Sequence, residues 1–332
     1  MSGGDHTAAQ AAPGQGVASR PGPGPAVSWL GQRLRLRVPK GLGRGVVSGI
    51  PLGWLLVFFL LPFAVVLKIS LADTAIAMPP YTALLDWDGE AVATLQLNFG
   101  KYLFLLEDTL YLAAYAGSLK VAAVSTLFCL LIGYPMALFI ARQPAERRPL
   151  WLALVILPFW TSLLLRVYAW IGLLQHNGVI NNILISLGII DQPLVMMQTD
   201  FAVYLGVVYT YLPFMVLPLY ATLEKLDDTL LEAAADLGSA PWKAFLTVTL
   251  PLSRPGMVAG SMLVFIPAVG EFVIPALMGG PDTLMIGRVL WDEFFNNRDW
   301  PMASAVAVVM MVVLVIPVML LRNGQNKTAE HG

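Results

Sequence analysis

Residues 229–251 read TLLEAAADLGSAPWKAFLTVTLP, and this stretch decides how the rest of the chain is parsed. Thr229 followed three residues later by Glu232 has the form of a capping box, the alanines continue a helix, and Gly238 supplies the left-handed residue that ends it. Pro241 then suits the first turn of a second short helix, Trp242 to Val248, ahead of Leu250 and Pro251. The spacing predicts a knob of two short helices around a glycine turn, and it lies between long apolar runs.

Those runs dominate the chain. Of 332 residues 57% are hydrophobic and 12% charged, about half the charge of an ordinary soluble domain, which argues against a soluble enzyme. A bilayer core of roughly 30 Å takes about 20 apolar residues per helix. Six runs of that kind stand near residues 50–71, 117–140, 150–174, 201–223, 256–279 and 301–321, so the expected fold is an all-α membrane protein of six transmembrane helices. The knob occupies the loop 224–255 between the fourth and fifth.

Charge position sets the orientation, because Lys and Arg flanking a span resist translocation. Alternate flanks hold 14 basic residues: Arg20, Arg33, Arg35, Arg37, Lys40 and Arg44 before the first span; Arg142, Arg147 and Arg148; Lys225, Lys243 and Arg254; and Arg322 and Lys327. The other flanks hold Lys101, Arg288 and Arg298 among many acids, including Asp86, Asp88, Glu90, Asp282, Asp292, Glu293 and Asp299. Both termini and the knob are therefore expected in the cytoplasm, facing away from an acidic outer surface.

Residues 1–49 are expected to be a disordered cytoplasmic tail, since the first 45 carry ten glycines and five prolines without apolar periodicity, and residues 322–332 a second tail. The first apolar run begins near residue 50, too late for a cleavable signal peptide, so it should be retained. No internal repeat is visible, which counts against a secondary carrier. The single Cys129 excludes an internal disulfide, and 20 basic against 21 acidic residues give no field for nucleic acid.

The knob resembles the cytoplasmic loop of bacterial ABC importer permeases, in which Glu-Ala-Ala, three residues, Gly, nine residues, an aliphatic, one residue and Leu-Pro follow one another. Glu232, Ala233, Ala234, Gly238, Val248, Leu250 and Pro251 match without a gap, with Val where Ile is usual. The resemblance implies the type I ABC importer permease fold and a coupling helix that docks on a separate ATPase. Further stretches, PFWTS at 158–162, RVYAW at 166–170, NGVINN at 177–182, GEFVIP at 270–275, GGPD at 279–282 and MIGRVLWDEFFNNRDW at 285–300, are similar to polyamine importer permeases, the last to the putrescine type. It implies a heterodimer with a second permease, two ATP-binding subunits that carry ATP and Mg, and a periplasmic polyamine-binding protein. The chain has no phosphate-cradling loop and is expected to bind no cofactor or metal itself. His6, His176 and His331 are isolated, so no catalytic residue is expected.

Four ionisable residues fall within the runs, and each is costly in lipid. Lys68 and Lys120 lie near outer ends and can snorkel. Arg166 and Glu271 each lie 15 residues past Trp151 and Gly256, about 22 Å deep at 1.5 Å per residue. They either lock the third and fifth spans as a buried ion pair, or Glu271 leaves Arg166 to meet a passing ammonium group. Phe159, Ser162, Arg166 and Trp170 are expected on one helical face, and Tyr204 and Tyr211 on another, offering ring faces to a cation. Asp282, Asp292 and Glu293 could attract that cation or dock the binding protein. The expected function is import of polyamines, putrescine first. An importer of an oxyanion or ferric iron, and less so a secondary carrier, are the alternatives.

Overall fold

A computed structural model describes residues 42–87, 93–95 and 97–329. Most of the expected N-terminal tail, Asp88 and Glu90, and the last three residues lie outside them. The chain divides at Leu60 into two units.

In the first unit, α1 (Leu42–Leu55) leads into one π-helical turn, Leu56–Leu60, and Trp54 stacks on Phe58 at 3.9 Å. Helix therefore starts inside the stretch expected to be tail. In the second unit α2 (Leu61–Ser70) completes a helical run Ser48–Ser70 at the position of the first expected span. A small hairpin follows, β1 (Leu85–Trp87) antiparallel to β2 (Ala93–Leu95) with Asp86 opposite Thr94, then α3 (Gly100–Glu107).

Helix α4 (Thr109–Ala141) is a 33-residue helix that starts eight residues before the expected boundary. The Asp108 carboxylate caps it by accepting from the Leu110 N–H at 2.8 Å, and Pro135 sits inside it without a break. The third expected span is not one helix. It consists of α5 (Arg148–Ile156), a 3₁₀ turn Leu157–Trp160 and α6 (Leu163–Leu174), with an 89° bend after Trp160, and α7 (Val179–Ser186) follows beyond its expected end. Thr161 and Ser162 are extended there, and the Thr161 N–H and hydroxyl both donate to the Pro158 carbonyl, satisfying a group the break would otherwise expose.

Helix α8 (Asp200–Leu223) holds Pro213 and Pro218 without interruption. The loop beyond carries α9 (Thr229–Asp236), α10 (Pro241–Ala244), a π turn Phe245–Thr249 and α11 (Leu250–Leu252), and turns by 63° into α12 (Arg254–Val269). The fifth span breaks too: residues 270–272 separate α12 from α13 (Val273–Met278). After α14 (Ile286–Trp291) and a π turn Asp292–Asn296, α15 (Trp300–Ala329) carries helix through part of the expected C-terminal tail. Among the described residues three helices are long and apolar enough to cross a membrane unbroken, and up to five if each bent pair is one span.

Helices α4, α8 and α12 pack against one another as the core. Lipid offers helices no hydrophobic drive to associate, so close approach through small residues supplies the contact. Gly133 of α4 and Gly260 of α12 both face Met215 of α8, where a Cβ would meet Met215 Cγ at 3.1 Å and Met215 Sδ at 2.7 Å. Gly256, one turn earlier, faces Thr222 and Pro218. We expect Gly260→Val to destabilise the protein by about 1–3 kcal/mol through overpacking on the Met215 backbone. Gly172→Ala, where nothing lies within 4 Å, should be neutral or stabilising. Thermal unfolding in detergent compares the two.

Candidate functional site

At one end of the core, the knob has two short helices around a glycine turn, with two corrections, the first being that the segment expected as one helix Trp242 to Val248 is α10 followed by the π turn Phe245–Thr249. Gly238 has φ +79°, its N–H donates to the Ala235 carbonyl at 2.8 Å, and the Ser239 N–H donates to the Ala234 carbonyl at 3.0 Å. This pair of bonds is a Schellman motif, and it explains the glycine by backbone conformation, since a Cβ there would have open space. The Thr229–Glu232 capping box does not form. Asp227 instead accepts from the Thr229 N–H at 3.0 Å, which leaves Glu232 past the capping position. Hydrogen bonds from the Thr229 backbone and side chain hold the Asp227 carboxyl below the usual carboxylate range.

Leu237 and Trp242 flank the turn with 90% and 68% of their surface exposed. The knob is tied to the core by the Tyr134–Ser253 hydroxyl bond of 2.9 Å and by Tyr134 edge-on to Phe245 at 5.6 Å. Arg148 pairs with Glu224 at 3.1 Å close by. Arg142, Arg148, Glu224, Asp227 and Asp228 line a 490 Å³ cleft between the knob and the ends of α4 and α8. Sequence reading missed these ties, because Tyr134 looks like an ordinary residue of an apolar run and Ser253 like an ordinary loop residue.

Glu271 lies in the break of the fifth span and is 7% exposed. Its Oε1 accepts from the N–H groups of Phe272, Val273 and Ile274 at 3.1, 3.0 and 3.4 Å, and its Oε2 accepts from the Tyr211 hydroxyl at 2.7 Å. The carboxylate thus caps α13 and ties it to the middle of α8, 11 residues beyond Asp200 or roughly 16 Å along the axis. Every donor is neutral, so its charge has no cation beside it among the described residues.

The expected Arg166–Glu271 pair is absent. The bend after Trp160 places Phe159 before the break and Arg166 on α6, so Phe159, Ser162, Arg166 and Trp170 do not share one helical face. The Arg166 guanidinium nevertheless covers the Phe159 ring at 4.9 Å, within cation–π range, while its buried Nε and Nη1 have no hydrogen-bond partner. Phe159 meets Phe214 edge-on at 5.1 Å, and Phe214 lies 6.1 Å from Tyr211, so a line of rings joins Arg166 to the Glu271 cap. Trp170 packs edge-on to Tyr209 at 5.4 Å, Tyr204 packs on the buried cluster, and Ser162 is exposed without capping α6.

The acidic candidates at the opposite end part ways. Asp282 is exposed, Asp292 accepts from Asn296 at 2.7 Å, and Glu293 accepts from Tyr111 at 2.7 Å and Asn297 at 3.0 Å. Lys120 does not merely snorkel. Its Nζ lies 3.9 Å from Asp200, which also accepts from Thr283 at 2.9 Å.

Residues 42–328 match the family model described as "Binding-protein-dependent transport system inner membrane component". The chain belongs to this family. The permease is 41% identical over 262 residues to the spermidine/putrescine transport system permease protein PotB of Escherichia coli (strain K12), covering 79% of this chain and 90% of that protein. To the protein of the same name from Haemophilus influenzae it is 39% identical over 271 residues, 82% and 90% of the two chains. Its fold matches a chain in the crystal structure of a bacterial alginate ABC transporter in complex with an alginate pentasaccharide-bound periplasmic protein. The TM-score is 0.65 at 16% identity, over 88% of this permease and 98% of that chain. The fold is that of an ABC importer permease.

Two substitutions at Glu271 should separate cap from charge. Glu271→Ala strands three N–H groups and the Tyr211 hydroxyl, and at about 1–3 kcal/mol for each that stays unmet we expect a loss of several kcal/mol. Glu271→Gln keeps an acceptor for them and should unfold within a few degrees of wild type in the same detergent melt.

Proposed function

We propose that this permease is a membrane subunit of an ATP-driven importer that moves polyamines inward, with putrescine the leading cargo. Glu271 carries the reading: a buried carboxylate at mid-height whose four donors are all neutral leaves a negative charge for a cationic cargo to meet. The spermidine/putrescine names of the relatives agree with it. A polyamine is a flexible cation with a methylene spine, so it wants carboxylates for its charges and ring faces for the rest, and Tyr211 stands at the cap with Phe214 next to it.

The remaining parts follow from the family. Two ATP-binding subunits hold ATP and Mg and close under the knob, whose exposed Leu237 and Trp242 offer apolar surface for docking, with Glu232, Ala233, Ala234, Gly238, Leu250 and Pro251 shaping it. A second permease completes the pore, and a periplasmic binding protein delivers the cargo. Six spans with both termini in the cytoplasm place the knob beside the ATPase.

The test is uptake of labelled putrescine into proteoliposomes that hold the assembled complex, competed with spermidine and with sulfate. Competition by spermidine alone is the expected result, and absence of putrescine uptake with ATP hydrolysis intact would discard the cargo. Gly238→Val forces a β-branched residue to positive φ at a cost of about 1–2 kcal/mol or more. It should lower ATP hydrolysis stimulated by the binding protein and uptake together, whereas Glu271→Gln should lower uptake while assembly survives.

A further inference from the structure

At the end of α8 away from the knob, three segments of the permease meet around one carboxylate. Asp200, in the first turn of α8, accepts from the Thr283 hydroxyl at 2.9 Å and lies 3.9 Å from the Lys120 Nζ of α4. The loop 279–286 that carries Thr283 is clamped to both helices. On the α4 side the Ser118 hydroxyl accepts from the Ile286 N–H at 2.8 Å, and the Leu284 carbonyl leaves no room for a Cβ on Gly117. On the α8 side a Cβ on Gly280 would meet the Gln198 carbonyl at 2.5 Å, and one on Gly279 would meet Val203 Cγ2 at 3.3 Å. The place of the Asp200 carboxylate is therefore set by the fold, and the buried Thr283 orients it.

Lys120 is the loose member of the group. Its side chain is 66% exposed and that of Asp200 54%, and 3.9 Å is too long for a hydrogen bond. A pair this exposed contributes little to stability, so stability does not account for an ammonium at this place. A lysine side chain is a chain of methylenes that ends in a primary ammonium, which is the chemistry of one end of a linear diamine. The structure thus holds at Asp200 a tethered copy of the group that such a carboxylate would take from a polyamine. Asp282, next to Thr283 in the clamped loop, is exposed and has no ion pair among the described residues, so the two carboxylates exceed the one ammonium by a charge. Asp200 also precedes Tyr211 by 11 residues, close to three turns, and so lies on the face of α8 that meets Glu271 further along.

We propose that Asp200, oriented by Thr283, is a site for a primary alkylammonium, and that Lys120 is its resident occupant, which an ammonium of the cargo displaces. This rests on the polyamine reading above. Lys120 keeps the carboxylate neutralised while no cargo is present and competes with each ammonium that arrives. Its removal should therefore make the site more open to ammonium, the opposite of what loss of a structural bridge would do.

The experiment uses the assembled complex in proteoliposomes with binding protein, labelled putrescine, and n-butylammonium as competitor, which has the same methylene spine but one ammonium. Lys120→Met and Lys120→Ala empty the site, and Asp200→Asn removes the charge while keeping an acceptor for Thr283. The n-butylammonium concentration that halves uptake should fall by about fivefold in both Lys120 variants, which is as much as an exposed pair is worth. Adding Asp200→Asn to Lys120→Met should return it to the wild-type value or above. The binding protein is the same throughout, so its own affinity for either compound does not enter the comparison. Equal sensitivity in wild type and the Lys120 variants would overturn the site and leave the polyamine reading standing, and so would a heightened sensitivity that survives Asp200→Asn. Loss of assembly in both Lys120 variants would overturn it as well, by showing the pair to be structural. Failure of the wild-type complex to take up putrescine would overturn the cargo and the site with it.

Discussion

The carboxylate of Glu271 organises the middle of this permease. A helix that breaks within lipid exposes N–H groups that water cannot reach, and each left unmet would cost several kcal/mol. Glu271 meets three of them with one oxygen and uses the other to hold Tyr211 of α8. The break, the cap and the tie between α13 and α8 are therefore one arrangement. Its by-product is a buried carboxyl group with no basic side chain paired to it among the described residues.

Around that point the packing is set by how close the backbones come. Gly133, Gly256 and Gly260 let α4 and α12 close on α8, and Gly206 does the same where α8 meets Ile274 and Met278 of α13. The core that results is close-packed along α4, α8 and α12, while the bend after Trp160 and the gap at 270–272 interrupt the flanking segments. The Tyr134–Ser253 bond joins the knob to α4 of that core, and the interrupted segments carry Arg166 and Glu271.

What the sequence disclosed follows the range of the forces involved. Apolar runs located the long helices because burial in lipid is decided by local composition, and Gly238 was readable because only a left-handed residue ends a helix that way. The capping box misled because Asp227, just upstream, competes for the same N–H of Thr229 and wins by position. Proline alone did not mark the breaks: Pro158 and Pro275 stand beside them, but Pro135, Pro213 and Pro218 lie in unbroken helix. Equal depth made Arg166 and Glu271 look like partners, and both breaks redirect them. The spacing of Trp291, Phe294 and Phe295 at i, i+3 and i+4 was a visible sign that these rings share a side, but what they lead to depends on Phe272, nineteen residues earlier than Trp291.

Two lines of rings meet at Glu271, one through Phe272, Trp291 and Phe295 and the other through Tyr211, Phe214 and Phe159. The line through Trp291 runs beside Asp292 and Glu293, and its rings pack on one another. The line through Phe214 ends at Phe159, whose face the Arg166 guanidinium fills, with two of its nitrogens buried and unpartnered. The two lines therefore differ in what stands beside them: carboxylates met by neutral donors along one, and a guanidinium with two buried, unpartnered nitrogens at the end of the other.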